Sequence, residues 1–109
     1  MTAIPQIRIE ALIEAYDLLL FDAYGVLVHA AGAMPGARQL VELLNDSRKP
    51  YFVVTNDASK LPETAAARYQ RFGVAVPVER ILTSGQLIAR YFKEQQLAGA
   101  RCAVLGTPD

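Results

Sequence analysis

The sequence has a single cysteine, no surplus of charge of either sign and no basic leader, and its apolar runs are short. Each shortage excludes something. One cysteine, Cys102, cannot form an intramolecular disulfide, which suits a reducing compartment. Eleven basic and eleven acidic side chains cancel, so no strong field recruits nucleic acid or an anionic membrane. Met1 to Gln6 has neither the charge nor the apolar stretch of a signal peptide. No apolar run approaches the ~18 residues a membrane helix needs. The expectation is a soluble cytoplasmic protein that engages neither nucleic acid nor membrane; its oligomeric state is left open.

What is present is core. Hydrophobic residues make up 52% of the 109 residues and charged ones 20%, the profile of one modest packed domain. The chain is organised around residues 17–28, Asp-Leu-Leu-Leu-Phe-Asp-Ala-Tyr-Gly-Val-Leu-Val. Leu18 to Phe21 reads as a strand buried on both faces, ending in Asp22, with Gly25 allowing a tight loop before Val26 to Val28. A carboxylate at the C-terminal end of a parallel strand can be a nucleophile or a metal ligand. It can equally be a turn aspartate that accepts backbone hydrogen bonds.

Around that stretch the periods alternate. Ile9, Leu12, Ile13 and Tyr16 have helical spacing, as do Ala37, Leu40, Val41 and Leu44 after Pro35-Gly36. Arg48 and Lys49 sit at the negative end of the second helix. Tyr51 to Val54 is strand-like and runs out into Thr55-Asn56-Asp57-Ala58-Ser59. Pro62 suits the first turn of a helix carrying Ala65, Tyr69 and Phe72 inward, with Gly73 as its left-handed cap. Val74 to Ile81 reads as an extended connection. Thr83 and Gln86 form a capping box for a helix burying Leu87, Ile88, Tyr91 and Phe92. Cys102 to Leu105 reads as the third strand, with Cys102 a small buried residue, and Gly106 to Asp109 as a turn.

Strands separated by helices of this length imply right-handed crossovers and a parallel sheet. The expected class is α/β, a Rossmann-like three-layer sandwich. If the first two strands are neighbours, Asp22 meets Thr55 and Asn56 at one point, a set suited to a phosphoryl group. Taken alone, residues 55–57 are also an ordinary turn and helix N-cap. His29 and Lys60 read as exposed residues.

Phe21-Asp22-Ala23-Tyr24-Gly25-Val26-Leu27 resembles the first motif of the haloacid dehalogenase-like hydrolases, a strand followed by D-x-D-G-x-[LTV]. Val53-Val54-Thr55-Asn56-Asp57-Ala58-Ser59 resembles the second, in the Thr-Asn-x-x-Ser form of the large-cap phosphatase subclass. Pro35-Gly36-Ala37 and Ile81-Leu82-Thr83-Ser84 fall where that subclass has similar segments. The resemblance implies that residues 1–109 are the N-terminal part of a catalytic core. Its cap, a charge-neutralising lysine and a late acidic loop would lie outside them. It implies a magnesium-dependent phosphatase acting on a small phosphorylated substrate. Asp22 would be nucleophile and metal ligand, the Tyr24 carbonyl a second metal ligand, and Thr55 with the Asn56 N–H the phosphoryl holders. One position departs: Tyr24 stands where the family has its general-acid aspartate, and a phenol with pKa near 10 is a poor base at neutral pH. True haloacid dehalogenases carry a similar Phe-Asp-Ala-Tyr-Gly stretch, so a magnesium-free dehalogenase is the alternative. A non-catalytic binding module is the third reading.

Overall fold

Charged residues bound a run of apolar ones at Asp17 to Asp22, and the computed structural model, which describes residues 3–109, makes Leu19–Asp22 the first strand, β1. Helix α1 (Ile9–Ala15) leads into it and rests Ile13 against the core. A two-residue hairpin follows β1, β2 (Val28–His29) against β3 (Gly32–Ala33). Then come α2 (Ala37–Asp46), β4 (Tyr51–Thr55) and α3 (Pro62–Arg71). The third strand of the main sheet is β5 (Ile81–Thr83), and α4 (Leu87–Glu94) closes the regular structure. Strands pair in parallel in the order β1-β4-β5, with Leu19 opposite Tyr51 and Val53 opposite Ile81. The α/β class with a parallel sheet is therefore as expected.

Register decides what is buried. Tyr51, Val53 and Ile81 share one face and pack against Val41 and Leu44 of α2 and Ala65 and Tyr69 of α3. Tyr51 is fully buried; its hydroxyl donates to Asn45 Oδ1 at 2.7 Å, and Asn45 Nδ2 donates to the Ala75 carbonyl at 2.9 Å. The end of α2 is thus tied to the start of β4 and to the loop before β5. Lys49 Nζ donates to the Tyr16 carbonyl, joining that same corner to the end of α1. Leu44 is 1% exposed. Leu44→Ala should lower the unfolding free energy by about 2–5 kcal/mol in urea titration of the chain, the range for truncating a buried leucine. A loss below about 1 kcal/mol would mean that α2 is not packed as described.

Several expectations need correction. The third strand is Ile81–Thr83, not Cys102 to Leu105, which is exposed and unpaired, so Cys102 is a surface thiol. The reason lies in pairing: β4 offers its free edge to residues 81–83, whereas among the described residues no strand lies beside residues 102–105. The connection from Val74 is not extended throughout, since Val78–Arg80 makes a 3-10 turn before β5. The strand β1 is buried on one face only, with Leu20 63% exposed, and Val54 and Leu82 on the same side of the sheet are open too. Helix α4 buries none of its apolar stripe; Leu87, Ile88 and Tyr91 are exposed and Phe92 is half-buried. Lys60 is half-buried.

Punctuation signals held. Pro62 opens α3, and Gly73 just past its end has φ 81°. The capping box is present: Thr83 Oγ1 accepts from the Gln86 N–H at 3.3 Å, and Gln86 Oε1 accepts from the Thr83 N–H at 2.7 Å. It caps a 3-10 turn, Ser84–Gln86, that runs into α4. Among the described residues no helix is long and apolar enough to cross a membrane.

Candidate active site

Parallel pairing puts the C-terminal ends of β1 and β4 side by side, with Asp22 opposite Val54 and Thr55 one residue further on. In an open parallel sheet this edge is where loops converge on ligands. Asp22 is exposed, and its Oδ1 accepts the N–H of Ala23 at 2.8 Å. The local turn thus fixes one carboxylate oxygen at the exposed end of β1. The loop after it is wound tightly. The N–H groups of Leu27 and Val28 donate to the Ala23 carbonyl at 2.9 and 3.1 Å, and that of Gly25 to the Val28 carbonyl at 2.8 Å. Gly25 has φ 85°, a region a side chain would strain. No turn or loop backbone bond of the described residues ends on the Tyr24 carbonyl, which leaves that oxygen free.

The second loop is equally ordered. Thr55 is 6% exposed, and its Oγ1 accepts the Asp57 N–H at 3.2 Å. The hydroxyl proton is therefore still available to a ligand. Asp57 Oδ1 accepts from both the N–H and the hydroxyl of Ser59, at 3.1 and 2.7 Å. Ser84, just past β5, donates to the Asn56 carbonyl at 3.0 Å, so the third strand braces the loop. Asp109 ties the start of α3: its carboxylate accepts the Leu61 N–H and the Thr64 hydroxyl, both at 3.0 Å. The Leu61 bond, then the Thr64 bond, holds the Asp109 carboxyl below its ordinary pKa.

Asp22, Thr55 and Asn56 thus share one sheet edge. Tyr24 joins it through its backbone, but its ring turns toward α3 and lies 5.6 Å from the Arg68 guanidinium carbon. His29 is exposed and uses Nδ1 to accept the Ala31 N–H at 3.1 Å. Residues missed from the sequence are Arg68 and Tyr69, which line a cavity of about 260 Å³ together with Tyr24, Asp57, Lys60 and Thr64. The signal was there: Lys60, Thr64, Arg68 and Arg71 recur at helical spacing as a polar stripe.

Tyr69 is 3% exposed, and burial, then the neighbouring Tyr24, Asp57 and Asp22, pushes its phenol up to about 12, with Arg68 acting the other way. Raising an acid's pKa in the folded state stabilises the fold fully below its unfolded value near 10, and that stabilisation is lost as pH rises through about 12. Wild-type stability should accordingly fall between about pH 10 and 12 more steeply than that of Tyr69→Phe, measured by urea unfolding at each pH. Parallel curves would show that Tyr69 is not held neutral by the fold.

Fold and loop chemistry together define a Rossmann-like α/β protein with its candidate site at the strand ends. The model of the haloacid dehalogenase-like hydrolase family matches residues 19–109, and the chain belongs to that family. It is 33% identical over 85 residues to a dihydroxyacetone phosphatase of Corynebacterium glutamicum, covering 78% of this chain and 31% of that protein. It is 29% identical over 91 residues to an acid sugar phosphatase of Staphylococcus saprophyticus, covering 84% and 35%. Among solved structures, it is similar to a glycerol phosphate phosphatase of Mycobacterium tuberculosis in complex with calcium. That match has 30% identity and a TM-score of 0.71, covering 88% of this chain and 28% of that one. A possible sugar phosphatase of Cytophaga hutchinsonii gives 33% identity and a TM-score of 0.71, covering 81% and 32%. The chain spans about a third of the length of the curated relatives it matches.

Proposed function

We propose that this chain is the N-terminal part of a phosphatase core that hydrolyses a small phosphorylated sugar or polyol through an aspartyl-phosphate on Asp22. The observation that carries this reading is the adjacency of Asp22 and Thr55 on neighbouring parallel strand ends. The unconstrained Asp22 oxygen attacks phosphorus as the bond to the leaving oxygen breaks, and the departing alkoxide takes its proton from solvent. The Thr55 hydroxyl and Asn56 N–H hold phosphoryl oxygens. Water then attacks phosphorus, releasing phosphate and regenerating the carboxylate, its proton passing to solvent. Activity of phosphatase relatives on dihydroxyacetone, sugar and glycerol phosphates supports this substrate class. The single exposed thiol and the sequence character fit a cytoplasmic setting.

The donor set fits a hard cation: the Asp22 carboxylate and the free Tyr24 carbonyl are oxygen ligands of the kind magnesium prefers. Among the described residues no cluster of three His, Cys, Asp or Glu side chains exists, so further ligands would come from phosphate, water and residues beyond these. When bound, magnesium would offset charge on the phosphoryl oxygens.

Asp22 and Thr55 are thus only part of the machinery, which leads to an expected result. The full translated product of the gene should hydrolyse dihydroxyacetone phosphate or glycerol phosphate in magnesium and stop on chelation. The 109-residue chain alone should be slower by roughly 10²–10³-fold or more, the scale for losing one electrostatic stabiliser. Equal rates from the two would overturn the proposed division of the core.

A further inference from the structure

We propose that the cavity between the first loop and α3 receives a second anionic group of the substrate, so that the preferred phosphate ester carries a carboxylate or phosphate on its leaving group. This rests on the phosphatase reading above and narrows its substrate class.

The cavity is lined by three cations, Lys60, Arg68 and Arg71, against one carboxylate, Asp57. Asp57 is already engaged by Ser59. None of the three cations forms an ion pair among the described residues, where the pairs are Arg8–Glu10 and Arg90–Glu94. In a chain of zero net charge, three cations without a salt bridge among the described residues, with Asp109 near Lys60, make this hollow a local departure. Arg68 is pre-positioned: its guanidinium carbon lies 5.6 Å from the Tyr24 ring centre and 5.7 Å from that of Phe72, and its Nη2 donates to the Ala30 carbonyl at 3.5 Å. A guanidinium held between aromatic rings keeps its remaining N–H groups directed at a planar anion.

Tyr69 adds a donor. No buried polar side-chain atom lacks a partner among the described residues, and the Tyr69 hydroxyl makes no protein hydrogen bond, so it opens onto the cavity it lines. Thr64 also lines the cavity, with its hydroxyl proton already given to the Asp109 carboxylate. The volume, about 260 Å³, is below the ~300–1,000 Å³ of drug-sized pockets, which suits a compact anionic tail. Position ties the cavity to the chemistry. Tyr24 belongs to the loop that starts at Asp22, and Asp57 to the loop that starts at Thr55. Tyr24 lies two residues after Asp22 and Asp57 two after Thr55, so the cavity opens beside the loops that would hold the phosphorus.

The test compares phosphoglycerate with glycerol phosphate, which differ by a carboxylate in place of a hydroxymethyl group, as substrates of the full translated product. A hydrogen-bonded charge pair corresponds to about ten- to a hundred-fold in kcat/KM. The wild type should favour phosphoglycerate by at least the lower figure, chiefly through KM. Arg68→Gln and, separately, Lys60→Gln should each reduce that ratio several-fold, and Arg68→Lys should retain part of it. Circular dichroism melts report whether each variant is folded, and the loop variant Lys60→Gln leaves the α3 packing intact. A ratio near one in the wild type, or variants that slow both esters equally, would overturn the proposal and leave the phosphatase reading standing. Inhibition by free inorganic phosphate that Arg68→Gln removes, without any preference between esters, would assign the cavity to a free anion and likewise overturn it. Absence of Asp22-dependent hydrolysis of either ester would overturn both.

Discussion

Asp22→Asn should abolish turnover, lowering kcat by roughly 10⁴-fold or more, the scale of losing a covalent nucleophile. An amide of the same shape neither attacks phosphorus nor carries the charge that holds a cation. Asp22 is exposed, and among the described residues its one side-chain hydrogen bond is accepted from the next N–H, a bond that the amide oxygen of the substituted side chain can keep. Stability should therefore change by no more than about 0.5 kcal/mol, the usual range for surface substitutions. Activity lost with the fold intact is the signature of a chemical role. Retained activity would return Asp22 to the status of a turn residue.

Tyr24→Asp carries the second large effect, in the opposite direction. General acid–base assistance contributes ~10²–10⁴-fold, and a phenol is a poorer general base than a carboxylate at neutral pH. Its ring lies against Arg68 and lines the α3 cavity. An aspartate at position 24 should speed hydrolysis of an aryl phosphate by about 10²-fold, because the good leaving group makes breakdown of the acyl-phosphate the slow step. A dehalogenase gives the reverse pattern: halide release from a 2-halo acid without magnesium, harmed by Tyr24→Asp. Rates on both substrates, with and without chelator, separate the two.

The features legible from sequence were those with local causes. Pro62, Gly73 and the Thr83–Gln86 box act within a few residues of themselves, and each is where its chemistry requires it. Leu18 to Phe21 and Tyr51 to Val54 were visible as apolar stretches ended by polar loops, within a residue of the observed strands Leu19–Asp22 and Tyr51–Thr55, and these pair in parallel as the crossover rule allows. What failed depended on partners distant in the chain. Residues 81–83 are too short to show a period, and they become a strand because β4 has an open edge beside them. Cys102 to Leu105 has the composition of a buried strand and is exposed, since composition states a preference and pairing decides it. The same holds for Leu20 and the stripe of α4. Arg68 was overlooked, and Lys60 read as an exposed loop residue, for another reason: charged side chains are ordinarily solvated, and only folding brings Tyr24 and Tyr69 beside them.

The central claim is that Asp22 attacks phosphorus, and heavy-oxygen water tests it directly. In turnover of glycerol phosphate by the full translated product in labelled water, the second step should place the label in the released phosphate. The peptide containing Asp22, read by mass spectrometry, should stay unlabelled over many turnovers. Label accumulating in the Asp22 carboxylate, as hydrolysis of a carbon ester through its acyl carbon requires, would contradict the account.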